Sequence, residues 1–204
     1  MKRQFFGWIM MALVAVSVRA VAEEAPAVEP SKVFALVAAG PVEEASLQRV
    51  KAFVEEYVAV PIRILPPQEA KGTTLHEEGE ALVGLRAETD VALVALVSLP
   101  EEQPEHAVYL YDQHVAVVNA RVLKLDADEE TYGRRLEKLV VRSMALLLGI
   151  EPVPNPQSAL FPYRDIEQLD TIARTLDPPT LAAFQRAAAE RGVKLIEGSP
   201  FLQK

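Results

Sequence analysis

An uninterrupted apolar run at residues 33–39 constrains the fold of this chain more than any other segment. A strand without apolar and polar alternation has to be covered on both faces, which is typical of central strands in parallel sheets. Gly40 and Pro41 end the run. The 204-residue chain therefore needs helices on both sides of a sheet, and its 50% hydrophobic composition is enough to build one core.

Helix and strand patterns alternate after this first strand. Residues 41–57 carry apolar side chains mostly three and four positions apart, which predicts an amphipathic helix. Residues 58–65 predict a strand that Pro61 interrupts, 75–85 predict a second helix, and 91–97 predict another buried strand. Alternating strands and helices of this kind indicate a mostly parallel sheet.

The pattern changes in the second half of the chain. Residues 108–111 and 114–118 flank Asp112-Gln113 with the spacing of a tight antiparallel hairpin. Residues 128–148 predict the longest helix, which begins with acidic residues and ends at Gly149. After a proline-rich stretch at 152–162, helices are predicted at 164–176 and 179–191 and a short strand at 193–196. The predicted class is α/β, a mixed and mostly parallel twisted sheet with an antiparallel edge hairpin, packed by helices.

The N-terminus has the pattern of a secretory signal peptide at residues 1–22. Two basic residues precede an apolar run, and Ala20-Val21-Ala22 supplies the small side chains that signal peptidase requires. The apolar run is too short to span a membrane, and Arg19 interrupts any extension. We therefore expect an exported protein, periplasmic or secreted, with a flexible leader at 23–32 and a single domain at 33–204.

Charge and cysteine content exclude several classes of partner and site. The net charge is -8 and the isoelectric point is about 5.0, which disfavours nucleic acid and anionic membranes as partners. The chain contains no cysteine, so disulfides, thiolate metal sites and a lipid anchor on cysteine are excluded. We predict no nucleic-acid partner and no membrane span in the mature chain.

Three segments resemble successive segments of the archaemetzincins (peptidase family M54), a group of metzincin zinc peptidases. They are residues 115–123, the helix at 142–149 and the loop at 153–160, and both their order and their spacing match. Metzincins carry HExxHxxGxxH, in which three histidines bind zinc and the glutamate acts as a base. The resemblance implies a metzincin-like domain that covers most of the chain after residue 33.

The same resemblance implies that the zinc ligands are lost. Aligned without gaps, the first zinc-binding His falls on Arg142, the catalytic Glu on Ser143, the second His on Leu146 and the third on Pro152, while the glycine is kept as Gly149. The further Cys and Met positions of the family fall on Val153, Ser158, Leu160, Asp177 and Thr180. We therefore predict no cofactor, although the family resembled would lead one to expect zinc.

Other catalytic patterns are missing from the sequence. His76, His106 and His114 have no spacing that places two of them on one helical face. With Asp112-Gln113 as the hairpin turn, His106 lies opposite Asn119, away from His114. There is no Gly-x-Ser-x-Gly elbow, no EF-hand loop and no phosphate-binding glycine loop. We expect the three histidines to be ordinary surface or partly buried residues.

The candidate site is the cleft that these changes would leave behind. Its predicted positions are Arg142, Ser143, Leu146, Gly149, Pro152, Leu160 and Tyr163, beside an edge strand that includes Val115, Val117, Asn119 and Arg121. An edge strand can accept a peptide by strand addition, which needs no metal. Arg142 could bind a carboxylate in the cleft. We favour the alternative, in which it lies at the helix surface or pairs internally with Asp165 or Glu167.

Three hypotheses of function remain open at this point. The first is an exported, catalytically inactive archaemetzincin-like domain, a pseudo-metallopeptidase, that binds a peptide or protein along the former substrate cleft. The second is an active enzyme, either a divergent metallopeptidase or another periplasmic hydrolase with unrecognised ligands. The third is a structural role in an exported assembly. The lost zinc ligands favour a protein that is not an enzyme.

Overall fold

A computed structural model describes residues 31–201 of the chain. The predicted signal peptide at 1–22 and most of the predicted leader lie outside these described residues. Lys32, at the end of the predicted leader, forms an isolated parallel bridge with Val193. No helix within the described range combines the length and apolar character needed to cross a membrane.

The described residues build one five-stranded mixed sheet. Its strands are β1 (Val33–Ala39), β2 (Ile62–Ile64), β3 (Asp90–Val97), β4 (Ala107–Leu110) and β5 (Val115–Asn119). The spatial order is β2-β1-β3-β5-β4, and every neighbouring pair is parallel except β4 with β5. This arrangement confirms the predicted fold class, including the antiparallel hairpin at one edge.

Helices cover both faces of the sheet, as the unbroken apolar strands require. The α-helices are α1 (Glu44–Tyr57), α2 (Leu75–Leu82), α3 (Ala120–Lys124), α4 (Glu129–Leu147), α5 (Ile166–Thr171) and α6 (Pro178–Glu190). Two short 3-10 turns lie at Val83–Leu85 and Tyr111–Gln113. Among the described helices, α2 packs on one face of the sheet and the other five contribute to the core on the opposite face.

Strand β1 shows why its residues had to be apolar on both sides. Phe34 and Leu36 point into the larger core, where the Phe34 ring stacks on Phe184 of α6 at 5.8 Å. Ala35 and Val37 point into the smaller core beneath α2. All four side chains are at most 1% exposed, so the pleat alternates between two dry environments.

Three predicted elements are shorter than expected or do not form. The strand predicted at 58–65 is reduced to β2, since Ala59 has a φ of 62° and Pro61 has no N–H for a ladder. The helix predicted at 164–176 is only α5. The strand predicted at 193–196 was wrong, because only the single bridge from Val193 to Lys32 forms.

The hairpin has the predicted register but not the predicted tight turn. The Asn119 N–H donates to the His106 carbonyl at 2.9 Å, so these two residues lie opposite each other as expected. The connection is the 3-10 turn followed by His114, whose φ of 54° is left-handed. This longer loop reverses the chain without the two-residue turn that the sequence suggested.

The prediction that β5 is the edge strand was wrong. Val115, Val117 and Asn119 lie on β5, which is buried throughout between β3 and β4. Arg121 lies beyond it in α3, where its guanidinium donates to the carbonyls of Leu99, at 2.9 Å, and Pro100. β5 is internal because it pairs with β3 in parallel, and β4 is therefore the free edge.

Helix α4 carries charged side chains into the interior, and each of them is paired. The Glu137 side chain is 4% exposed and accepts hydrogen bonds from Arg49 Nε at 2.8 Å and Arg174 Nη1 at 2.9 Å. Arg49 also pairs with Glu130 at 2.9 Å, whose side chain is 54% exposed. Glu137 therefore ties α1 and the segment after α5 to α4.

We expect Glu137→Ala to destabilise the protein and Glu130→Ala to have only a marginal effect. Removing one partner of a buried ion pair costs about 3 kcal/mol or more, and because Arg49 and Arg174 remain partly hydrated we expect about 2 kcal/mol. Glu130 contributes little because its pairs are exposed to solvent. Urea unfolding of the two variants measures the difference, and equal midpoints would contradict the assigned role of Glu137.

Candidate functional site

Three basic residues of α4 bind the irregular segment that follows the helix. Arg135, Lys138 and Arg142, here called the basic stripe, are spaced so that they share one helical face. Gly149, with a φ of 82°, ends the helix and allows the chain to turn back. Each residue of the basic stripe then donates hydrogen bonds to residues 159–170.

Arg135 and Lys138 hold the short helix α5. Arg135 donates to both carboxylate oxygens of Asp170, at 2.9 and 2.7 Å, a bidentate pair. Lys138 Nζ donates to the carbonyls of Leu169 at 2.6 Å and Asp170 at 3.0 Å, which lie in the last turn of α5. Burial lowers the pKa of Lys138. The ammonium group thus satisfies carbonyls that the end of a helix leaves without partners.

Arg142 pairs internally, but not with an acidic residue. Its Nη1 donates to the carbonyls of Ala159 at 3.0 Å and Phe161 at 3.1 Å, and its guanidinium lies 5.3 Å from the Tyr163 ring centroid. The predicted pairing with Asp165 or Glu167 was wrong. Asp165 instead caps α5 and accepts from the Gln168 N–H at 2.8 Å, because the first turn of a helix offers unpaired donors.

Arg142 lines an open cleft of about 310 Å³ beside strand β4. The cleft is lined by Glu105, His106, Ala107, Tyr109, Arg142, Tyr163 and Arg164. His106 stacks on Tyr163 with ring centroids 5.6 Å apart. Burial lowers the pKa of His106; the positive charge of Arg135 lowers it further, and the negative charge of Asp165 raises it. Burial raises the pKa of Tyr109 and of Tyr163. The imidazole is therefore neutral and the phenols keep their protons at neutral pH.

The other predicted cleft positions do not meet in this cleft. Ser143 is fully buried beneath the sheet, with its hydroxyl close to Tyr109 but outside full hydrogen-bond geometry. Leu160 is also fully buried, and Leu146 is half-buried against the same core. Pro152 is exposed. Of the predicted set, Arg142 and Tyr163 line the cleft, Ser143, Leu146 and Leu160 pack in the interior, and Gly149 ends the helix.

The residues present do not fit the zinc that the resembled family would carry. A zinc ligand must offer a lone pair, but the guanidinium of Arg142 has only N–H donors. Within residues 31–201 no group of three or more His, Cys, Asp or Glu side chains is placed to hold a metal. His76 pairs with Glu80 at 3.5 Å on the surface. His106 lies in the cleft and His114 lies in the hairpin connection.

The two edges of the sheet differ in how their backbone groups are satisfied. At the β2 edge, the Ile62 N–H donates to Glu55 Oε1 at 3.1 Å and the Ile62 carbonyl accepts from Lys51 Nζ at 2.7 Å. At the β4 edge, the register directs the N–H and C=O groups of Ala107 and Tyr109 away from β5. No described segment beyond β4 binds them through its backbone.

The sequence alone did not identify His106, Ala107, Tyr109 and Arg164 as cleft residues. The strands gave no signal of which one lies at the edge, because β4 and β5 are both largely apolar in sequence. Arg164 gave no local signal, since only the fold brings the segment after residue 160 next to β4.

We expect Arg142→Met to loosen the segment that this arginine holds. The substitution keeps an apolar stem but leaves the buried Ala159 carbonyl without its donor, a loss of about 1 to 3 kcal/mol. Arg164→Met, which removes an exposed guanidinium from the same cleft, should unfold close to wild type. Urea unfolding and amide exchange of residues 157–161 provide the readouts. Equal stability and exchange in the two variants would contradict the structural role of Arg142.

Neither a family model nor a curated protein matches the sequence of this chain. Solved structures do match its fold. The archaemetzincin of Methanopyrus kandleri aligns with a TM-score of 0.66 and 17% identity, covering 79% of this chain and 98% of that one. A zinc-dependent peptidase from Methanocorpusculum labreanum aligns with a TM-score of 0.62 and 14% identity, covering 74% of this chain and 99% of that one.

A third similar structure is the archaemetzincin of Archaeoglobus fulgidus in complex with malonate. It has a TM-score of 0.56 and 12% identity, and covers 74% of this chain and 99% of that one. The three alignments span almost the whole of each matched chain, so the likeness is to a complete domain. The resemblance seen in the sequence is thereby confirmed at the level of architecture: this chain has an archaemetzincin-like fold.

Proposed function

We propose that this chain is an exported archaemetzincin-like domain that has lost zinc catalysis and binds an extended peptide segment of a partner along strand β4. The loss of zinc catalysis is supported by the contacts that Arg142 makes. On the resemblance it stands at the first zinc ligand, and it is committed to two backbone carbonyls and the Tyr163 ring. Export rests on the signal sequence pattern of residues 1–22.

The loss of the catalytic base supports the same proposal. The family's glutamate falls on Ser143, whose side chain is fully buried and has no carboxylate with which to activate a water molecule. Substituting only the zinc ligands would leave a base in place, whereas here both parts of the machinery are replaced. A hydrolase on this fold would need a new set of ligands, and the described residues supply no candidate cluster.

The basic stripe explains how the fold can dispense with a metal. In a metzincin site, zinc cross-links the helix to the segment beyond its terminal glycine, because the third histidine comes from that segment. Here Arg142 connects α4 to residues 159–161, and Lys138 and Arg135 connect it to α5. Hydrogen bonds from one helix face therefore supply the cross-link.

Peptide binding is supported by the contrast between the two edges of the sheet. Side chains of Lys51 and Glu55 satisfy the outward groups of Ile62, which hinders another strand from pairing at that position of the edge. Ala107 and Tyr109 have no such cover, and both also line the cleft. A strand added beside β4 would gain backbone hydrogen bonds while its side chains reach the cleft.

The zinc-free state predicts the metal content of the mature chain. Residues 23–204, purified without chelator and without a histidine tag, should contain far less than one zinc per chain by mass spectrometry. EDTA should leave the unfolding midpoint unchanged, because no bound metal would be stabilising the native state. Stoichiometric zinc together with a lower midpoint in EDTA would overturn the zinc-free assignment and favour an active metallopeptidase.

Strand addition predicts a specific effect of proline at the open edge. We expect Ala107→Pro to weaken binding by about tenfold, because it removes an outward N–H and adds bulk, while an edge position tolerates proline. Ile64→Pro on β2 is the matched control and should bind as wild type does. The probes are random hexapeptides selected on the wild-type protein, with affinities then measured by fluorescence polarisation. Equal affinities of the two variants, or no selected peptide at all, would refute the docking site.

A further inference from the structure

We infer that the cleft beside β4 binds a carboxylate group of the docked peptide, which is seated against the guanidinium groups of Arg142 and Arg164. The inference deepens the proposed function, since it rests on a peptide lying along β4. Both arginines line the same cavity as the open edge residues Ala107 and Tyr109.

Arg142 presents one edge of its guanidinium for such a contact. The two hydrogens of its Nη1 are used by the carbonyls of Ala159 and Phe161. Its Nε and Nη2 have no carboxylate partner among residues 31–201, although the Tyr109 hydroxyl lies close to the guanidinium. Nε and Nη2 form the side of the fork that binds a carboxylate with two parallel hydrogen bonds. Tyr163 stacks against the group and limits its motion, so little side-chain entropy is lost on binding.

Arg164 adds a second positive charge at the mouth of the cleft. Its side chain is exposed and forms no ion pair within the described part of the chain; only its backbone N–H is engaged, by Gln168 Oε1 at 3.1 Å. Glu105 is the single carboxylate in the cleft lining, and it is exposed. Two guanidinium groups against one carboxylate make this cleft locally cationic in a chain whose net charge is -8.

The remaining polar groups of the cleft also suit an anion. Tyr163 is a neutral phenol whose hydroxyl can donate, and the neutral His106 ring can donate one N–H. Tyr109 is also a neutral phenol, with its hydroxyl close to the side chains of Ser143 and Arg142. None of these three groups adds negative charge at neutral pH. A carboxylate in the cleft therefore meets donors on several sides and a single competing anion.

A neighbouring cavity is lined by more acidic side chains than the cleft, which favours the cleft as the place for a carboxylate. This cavity, of about 460 Å³, shares His106 and Arg164 with the cleft. Its other lining residues include the acidic side chains of Asp126, Asp165, Glu167 and Asp170. Arg135 neutralises Asp170, but the other three carboxylates repel an anion. The cleft beside β4 is thus cationic and the neighbouring cavity is acidic. This difference favours one orientation of a ligand that carries both a negative and a positive group.

Two sources supply the same chemistry: the C-terminal carboxylate of a docked segment and an Asp or Glu side chain within it. Two matched libraries of random hexapeptides separate them, one with free C-terminal acids and one with C-terminal amides. Peptides retained by the wild-type protein are identified and their affinities measured. Loss of binding on amidation identifies the terminal carboxylate as the bound group. If amidated peptides are retained, and replacing their Asp or Glu by Asn or Gln abolishes binding, the bound group is the side chain. Either result supports the inference.

The protein variants test the arginines directly. Arg164→Gln, which removes an exposed side chain and should fold normally, is expected to weaken the selected peptides by about tenfold. Arg186→Gln on the exposed face of α6 is the matched control. It changes the net charge by the same amount, but it lies outside the cleft and should have no effect. Arg142→Lys, which keeps the charge but loses the fork, should also weaken binding.

The same measurements test the carboxylate site and peptide docking along β4 separately. Selected peptides that lack any carboxylate and bind Arg164→Gln as tightly as wild type would overturn the carboxylate site. The docking proposal would still stand in that case if Ala107→Pro abolished their binding. If neither library yields a retained peptide, both the docking proposal and the carboxylate site are refuted.

Discussion

The attachment of residues 150–172 to helix α4 is the contact on which the site depends. This segment has little regular structure beyond α5, so it cannot satisfy its own backbone groups through a ladder or a long helix. The basic stripe supplies the missing donors: Arg142 binds two carbonyls, Lys138 binds two more, and Arg135 clamps Asp170. Charged donors bound to buried carbonyls are stronger than neutral pairs, which lets a few side chains order a long loop.

The same attachment produces the cleft. By holding residues 159–163 against α4, Arg142 positions Tyr163 against His106 and opposite the open strand β4. The cleft wall is thus a consequence of internal pairing. The positions aligned with the zinc histidines cannot hold a metal, because Arg142 offers only N–H donors and the side chains of Leu146 and Pro152 have no lone pair.

Much of the secondary structure was predictable because it depends on local pattern. The unbroken run at 33–39, the amphipathic periodicity of α1 and α4, and the hairpin register all carried through to the fold. The failures fall where backbone geometry or long-range pairing decides. A left-handed Ala59 shortened β2, and the identity of the edge strand depended on β3 pairing with β5 rather than β4. Neither fact has a signature in a window of neighbouring residues.

The sequence by itself determined the class of fold, the resemblance to archaemetzincins and the replacement of every zinc ligand, since each is a property of residue identity and spacing. Only the tertiary structure decided what those replacements do. Arg142 meets the carbonyls of Ala159 and Phe161 because the chain turns back at Gly149, and Arg164 reaches β4 only through that turn. Contacts between segments that are distant in sequence depend on how elements pack, and packing is a collective property of the folded chain.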